Sequence, residues 1–259
     1  MSTSLLKKIS YTLLDWATQG KGVPRKINGM KVRFPAKWSR YYEPDYESEN
    51  YNFLKAQVKS GMHIIDIGAH LGLFSSVSSQ LAGPEGKIVC FEPTPATFEI
   101  LEKTLKLNHC NNVTAVQAAV SDKDGKATFY VSRTAGCNSN SLVKNKLEGE
   151  LQAYEVNLVT LDSIISKYFL KPSLIKIDAE GAELDVLKGG VTTFKKYKPI
   201  LILGLHPAFI KEKNDSLASI WDLLNDCRYE ISLGGVAITK EDFCSKELLF
   251  DVHCFSKAN

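Results

Sequence analysis

Short aliphatic runs closed by glycine, proline or a carboxylate recur along this chain, and stretches that are apolar on one side lie between them. The runs Ile64–Ile67, Lys87–Glu92, Val113–Val120, Leu174–Asp178 and Pro199–Leu205 predict five strands buried on both faces. Helical spacing follows several of them, in Leu73, Phe74 and Val77, and again in Phe98, Leu101 and Leu105 behind a Thr94 cap. Thr160-Leu161-Asp162-Ser163 opens a further helix, Gly189-Gly190 stops one ending about Lys188, and another covers about 215–226. Ala127–Val131 and Tyr154–Val159 read as extended. Tyr229–Leu233 and Glu247–Phe255 are two last strands, joined without a clear crossover helix, which predicts an antiparallel ending. Strands alternating with helices predict a doubly wound α/β fold, with a mostly parallel sheet and a ligand at its carboxyl edge.

Upstream, Leu5, Leu6, Ile9, Leu13 and Trp16 recur at helical spacing, so residues 4–18 read as an amphipathic helix ended by Gly20, Gly22 and Pro24. Such a stripe usually packs on its own domain. Less often it docks a second subunit, which would make a homodimer, or a membrane surface. Lys26–Phe34 reads as a hairpin around Asn28-Gly29. Tyr41-Tyr42-Glu43-Pro44-Asp45-Tyr46 is either a packed loop or a lid over a ligand, and it leads into a helix at about 47–59. The chain thus divides into an extension, 1–46, and a domain, 47–259. The polar segment 133–150 reads as a long surface loop, a kind that often carries function.

Composition narrows the function. A formal charge of +3 on 259 residues is too small to argue for a nucleic-acid surface. No apolar run reaches the length of a membrane span. Lys7, Lys8 and Asp15 interrupt the N-terminal stretch, so it does not read as a signal peptide. The six cysteines show no C-x-x-C pair and no metal spacing, so buried thiols in a reducing cytoplasm are the expectation.

The candidate chemistry centres on Asp66-Ile67-Gly68-Ala69-His70-Leu71-Gly72, a strand, a glycine turn and the start of a helix. A dinucleotide site wants G-x-G-x-x-G with a pyrophosphate on the helix N-terminus. Here Asp66 stands where the first glycine belongs, and a carboxylate repels a pyrophosphate. It suits a ligand with a cationic end and no phosphate, such as S-adenosylmethionine. Glu92, ending the next strand, lies where a ribose-binding acid falls in nucleotide folds. Lys176 and Asp178 share one face of the fourth strand.

Five blocks in order carry a resemblance: D-I-G-A-H-L-G at 66–72, F-E-P at 91–93, A-V-S-D-K-D-G at 119–125, T-L-D-S at 160–163 and I-K-I-D-A-E-G-A-E-L-D-V-L-K-G at 175–189. Over roughly residues 40 to 206 the chain resembles the FkbM-type methyltransferases. The resemblance implies a seven-stranded Rossmann-like fold whose last strand is antiparallel. It also implies transfer of a methyl group from S-adenosylmethionine to a hydroxyl of a small molecule, a sugar, a glycan or a polyketide-type product. By the same resemblance the turn from Asp66 through Gly68, Ala69 and His70 to Gly72 holds the methionine part. Glu92, with Pro93, holds the ribose, and Gln117, Ala118 and Ala119 meet the adenine edge. Asp178 faces the transferred methyl. Two positions depart from the pattern: His70 replaces a more usual asparagine, and Gly204 stands where a glutamate is usual.

An alcohol is a poor nucleophile while protonated, so a general base is expected. His206, ending the fifth strand at the carboxyl edge, is the favoured candidate, because an imidazole titrates near neutrality. Asp178 is the second, with Lys176 beside it. Glu180 and Glu183 read as helix N-terminal acids; Asp178 and Glu180 are also able to ligate Mg²⁺, which leaves metal dependence open, yet no dedicated oxygen cage is visible. Two other functions compete. A degenerate cofactor-binding scaffold is favoured by Gly204 and opposed by the intact Asp66, Glu92 and Asp178. A nicotinamide oxidoreductase is disfavoured by the glycine spacing and Asp66.

Overall fold

The computed structural model describes residues 11, 13–14, 16–132, 140–141 and 151–257. Residues 11, 13–14 and 16–17 are helical. Trp16 is 81% exposed there and Leu13 is exposed too, so this turn does not bury its apolar side on its own domain. The remainder of the helix predicted at 4–18 lies outside the described residues. No helix among the described residues is long and apolar enough to cross a membrane. A hairpin follows, β1 (Val23–Ile27) and β2 (Met30–Phe34). Asn28 and Gly29 close it, both at positive φ, the conformation a two-residue turn of matching twist needs.

The elements then alternate: α1 (Ser48–Gln57), β3 (His63–Ile67), α2 (Leu73–Ala82), β4 (Lys87–Phe91), α3 (Pro95–Leu107) and β5 (Val113–Val116). The run predicted as one strand from Val113 to Val120 is two. The chain turns after Val116, where Ala118 N donates to Val116 O, and β6 (Ala119–Ser121) leaves for a second sheet. That sheet has the order β6, β9 (Leu151–Thr160), β7 (Gly125–Ser132) and β8 (Asn140–Ser141). The loop predicted at 133–150 lies outside the described residues except for β8.

After β9 come α4 (Leu161–Lys167), β10 (Pro172–Asp178), α5 (Glu183–Lys188), α6 (Val191–Tyr197), β11 (Ile200–Leu205), α7 (Pro207–Glu212) and α8 (Leu217–Asp226). The chain ends on β12 (Tyr229–Leu233), β13 (Val236–Ala237), α9 (Lys240–Cys244) and β14 (Phe250–Ser256). A helix, α9, does sit in the last connection, started by Thr239, whose side chain accepts from Asp242 N.

The main sheet runs β13-β12-β14-β11-β10-β3-β4-β5. From β5 to β11 all pairs are parallel, and β14 inserts antiparallel between β11 and β12. The two-residue β13 makes the strand count eight where seven were expected, because the Gly234-Gly235 turn folds it back on β12. Alternation along each strand splits the core in two. Ile65, Ile67, Phe91, Ile177, Leu203 and Val252 pack on one face with α4, α5 and α8. Ile64, Ile88, Leu174 and Ile202 face the other way, onto the hairpin, α1 and α2 through Phe34, Tyr51, Leu54 and Phe74.

Gly68 closes β3 at φ 82°, and a Cβ there would lie 2.0 Å from the backbone oxygen of Asp178. Gly72 N-caps α2 at φ 85°, and its Cβ would meet Leu101 Cδ1 at 2.7 Å. Both glycines are therefore demanded by the packing of β10 and α3 against the turn, and not by a ligand alone. Gly68→Ala is expected to cost at least about 2 kcal/mol, since left-handed strain and a backbone clash add. Denaturant unfolding reads this, and an unchanged midpoint would show that the end of β10 does not constrain the turn.

Candidate active site

The strands deliver a row of acids and glycines to the carboxyl edge. Phe91, Ile67 and Ile177 are the last paired residues of β4, β3 and β10, apart from Asp178 on the β11 side. Glu92, Gly68 and Asp178 follow them. Asp178 is in register with Gly204 of β11, and Gly204 with Asp251 of β14. Below that row, on the same face, lie Asp66 and its register partner Lys176. A cavity opens over the row. Gly68, Ala69, His70, Glu92, Pro93, Lys176 and Asp178 line it, with Ala118, Ala119, Val120 and Phe129 forming an apolar side. Tyr41, Tyr42, Tyr46, Tyr51 and Phe74 complete the wall. The aromatic segment of the extension therefore faces the ligand space.

Glu92 is buried, and its two oxygens are held apart by backbone donors. Thr94 N donates to Oε1 at 2.9 Å, and His70 N to Oε2 at 3.1 Å. Thr94 sits at the N-cap of α3 without a capping bond from its own side chain. The Thr94 side chain bonds the same carboxylate, so three donors occupy part of its about four lone-pair sites. Burial pushes the Glu92 carboxyl up to about 7. His70, in a left-handed conformation, packs on Tyr41 and Tyr42, and Tyr42 Oη lies 3.1 Å from its Nδ1. Burial lowers the imidazole to about 4, so it is neutral at physiological pH.

Asp178 lies between a lysine and a histidine. Lys176 Nζ donates to its Oδ2 at 2.9 Å, and His206 Nε2 lies 3.7 Å from its Oδ1. Burial alone raises the Asp178 carboxyl, but Lys176 and His206 outweigh it and hold it below the usual range. Burial likewise lowers Lys176, and Asp178 and Asp66 more than reverse this. His206 Nδ1 is 2.9 Å from Oε1 of Glu183, which has no exposure. Burial lowers the His206 imidazole, while the hydrogen bond and charge of Glu183, with Asp178, raise it overall. A histidine pinned between two carboxylates is pushed toward its protonated form. The expected general base His206 thus shares Asp178 with Lys176 and is held at its other nitrogen by Glu183.

Other predicted residues stand apart from the wall. Asp66 has no exposed surface; its Oδ2 accepts from Ser75 Oγ at 2.5 Å, and its Oδ1 has no partner among the described residues. Burial raises its carboxyl, partly offset by Lys176 and Ser75. It supports the turn from beneath. Gly72 acts through Leu101, as above. Gln117 is exposed, because the turn after Val116 swings it outward while Ala118 and Ala119 face the cavity. A Cβ at Gly204 would lie 3.1 Å from Asp251 Oδ1 and 3.4 Å from Asp178 Oδ1, so a side chain there would make one of these carboxylates shift. Glu183, Asp251 and Phe129 were missed. An acid inside the apolar run 248–255 was the available signal for Asp251. Phe129 reaches the cavity from the second sheet, which no local pattern announces.

The strand order, with an antiparallel strand inserted before the edge, and the acid-and-glycine row define a Rossmann-like methyltransferase domain. The chain belongs to the FkbM methyltransferase family: the model of the methyltransferase FkbM domain matches residues 66–231, more than half its length. Methyltransferase sdnD of Sordaria araneosa is 31% identical over 162 residues, 52% of this chain and 62% of that protein. Hexuronic acid methyltransferase AglP of Haloferax volcanii is 24% identical over 210 residues, 77% of this chain and 82% of that protein. The match to sdnD thus spans less than two thirds of that relative. A crystal structure of a methyltransferase FkbM from Methylobacillus flagellatus KT aligns with a TM-score of 0.48 and 18% identity, over 76% of this chain and 44% of that one.

The charge on His206 is testable without any ligand. In Glu183→Gln the imidazole should titrate lower than in the wild type, read by nitrogen NMR of the ring. Because the folded imidazole is raised above 6.5, its contribution to stability is full below that pH and lost as pH rises through the folded value. The variant's deficit in stability should therefore be larger at pH 6 than at pH 9. Equal His206 titration in both proteins would remove Glu183 as its partner.

Proposed function

We propose that this protein transfers a methyl group from S-adenosylmethionine to a hydroxyl of a small molecule, of the sugar, glycan or polyketide type. The single observation that carries this reading is the placement of Glu92. Its carboxylate, preset by two backbone donors, lines a cavity that also has apolar lining. Two acceptor oxygens match the two hydroxyls of a ribose, and Ala118, Ala119, Val120 and Phe129 suit a flat purine. Gly68, Ala69 and His70 give backbone approach for the amino-acid end of the cofactor, and the buried Asp66 supports that turn from beneath. The names of sdnD and AglP as methyltransferases support transfer, and the name of AglP supports a sugar-like acceptor.

When bound, the sulfonium supplies both the electrophilic methyl and its leaving group. What remains for the chain is alignment, exclusion of water and handling of one proton. Alignment of reactants alone contributes up to about 7–11 kcal/mol. The wall of Tyr41, Tyr42 and Tyr46 covers the reacting space, and Asp178, fixed by Lys176 and His206, presents an ionised carboxylate into it. A carboxylate so paired is a weak base, so its part is to orient.

Two measurements check the reading. Calorimetry should show S-adenosylmethionine binding that strengthens as pH rises through about 7, since ionised Glu92 is the better acceptor. Glu92→Gln should weaken binding on the order of tenfold, a loss of about 1.4 kcal/mol, and flatten that slope. Equal affinity in the two proteins would move the ribose elsewhere. Labelled methyl groups should also reach a hydroxylated acceptor. Binding with no transfer to any acceptor would favour a scaffold.

A further inference from the structure

Asp251 is an acid of the carboxyl edge with no part so far. It opens β14, where the chain returns beside β11. It pairs in register with Gly204, which pairs with Asp178, so the three form one rung on the face that carries Lys176. The glycine makes the rung work. A Cβ at 204 would lie 3.1 Å from Asp251 Oδ1 and 3.4 Å from Asp178 Oδ1, so two carboxylate oxygens converge over one residue that has no side chain. Asp251 is not itself on the cavity wall, but Asp178 and two other groups that face it, Glu47 and Lys176, line the cavity, so it stands beside that space. Asn50 of α1 is the remaining neighbour, and it offers an amide in place of a cation.

We propose that Asp251 is the catalytic proton acceptor of methyl transfer, taking the proton of the acceptor hydroxyl beside Asp178. This rests on the methyl-transfer reading. The other groups of the edge are spoken for. Asp178 has Lys176 on one oxygen and His206 near the other, and His206 is clamped by Glu183. Asp251 makes no such ion pair among the described residues. Burial first, then Glu47 and Asp178, raise its carboxyl to about 6, with Lys176 and Asn50 acting weakly the other way. A base of that strength is ionised at neutral pH and still draws a proton. In the step the acceptor O–H bond breaks and its proton passes to Asp251. The oxygen pair forms the new O–CH₃ bond, and the S–CH₃ pair returns to sulfur, leaving a neutral thioether. Asp251 is only half-buried, so the proton then leaves to solvent.

The experiment has a ligand-free arm and a turnover arm. Carbon NMR of the Asp251 carboxyl, assigned by its loss in Asp251→Asn, should titrate near pH 6 and fall toward the ordinary range in Asp178→Asn. Asp251→Asn should melt like the wild type and bind S-adenosylmethionine within about twofold of it, because the acid serves the acceptor side. With labelled S-adenosylmethionine and a panel of sugars and hydroxylated aromatics, its kcat should drop by about 10²–10⁴-fold. The acidic limb of the pH profile should vanish, Asp251→Glu should restore part of the rate, and His206→Ala should keep the limb. An Asp251 carboxyl titrating in the ordinary range and indifferent to Asp178 overturns the proposal. So does Asp251→Asn with undiminished kcat and an intact limb. A wild type that binds S-adenosylmethionine and methylates nothing in the panel sinks the methyl-transfer reading instead, and is recognised because wild type and variant then fail alike.

Discussion

A buried ammonium sits at the centre of this sheet, and its need for a counter-charge organises the edge above it. Lys176 is 6% exposed on the strand flanked by β3 and β11. An unpaired charge there is untenable, so a carboxylate must stand within reach. Asp178, two residues on and on the same face, supplies it at 2.9 Å, and Asp66 adds a second negative charge from the register position on β3. Once Asp178 is committed downward to Lys176, its backbone closes over Gly68, and that contact excludes any side chain from the turn. The ion pair and the glycine turn are thus one constraint seen from two strands.

The same logic explains the spacing of charge along the edge. Glu92, Asp178 and Asp251 alternate with Gly68 and Gly204, so no carboxylate has a neighbouring side chain crowding it from the next strand. Like charges on adjacent strands repel. Here each acid has its own relief: two backbone N–H groups for Glu92, Lys176 and His206 for Asp178, and a raised carboxyl for Asp251. Three carboxylates of one chemical kind therefore differ in strength, which is the condition for giving them different work.

Much of this was legible in the sequence, and the boundary of legibility is physical. Strands β3, β4, β10 and β11 are buried on both faces and announce themselves as apolar runs, and Asn28-Gly29 announces its hairpin through conformations few other pairs adopt. The acids closing those strands, Glu92 and Asp178, could be placed because a strand's end fixes where its last side chain points. Contacts made between distant segments were not legible. Glu183 looks like a helix-start acid, and only the fold brings it 2.9 Å from His206. The break between β5 and β6 is marked in the sequence only by Gln117, because the second sheet that claims β6 is built from residues far along the chain. Gly72 reads in the sequence as a ligand contact, and the structure adds a packing contact with α3 that the sequence does not show, since both uses select the same missing Cβ.

The pairing of Asp178 also bears on rate. Methyl transfer from a sulfonium spreads a positive charge that is concentrated in the reactant. A bare carboxylate beside that charge would stabilise the reactant more than the transition state and raise the barrier, since only differential stabilisation accelerates a reaction. Lys176 and His206 draw off part of the field of Asp178 from behind, so the carboxylate can still accept a hydrogen bond while holding the cation less tightly. On this view the apparent excess of charge beneath the cavity, a lysine and a histidine each clamped by acids, sets the field at the reacting carbon. Asp251, without an ion pair among the described residues, is the proposed acceptor of the proton.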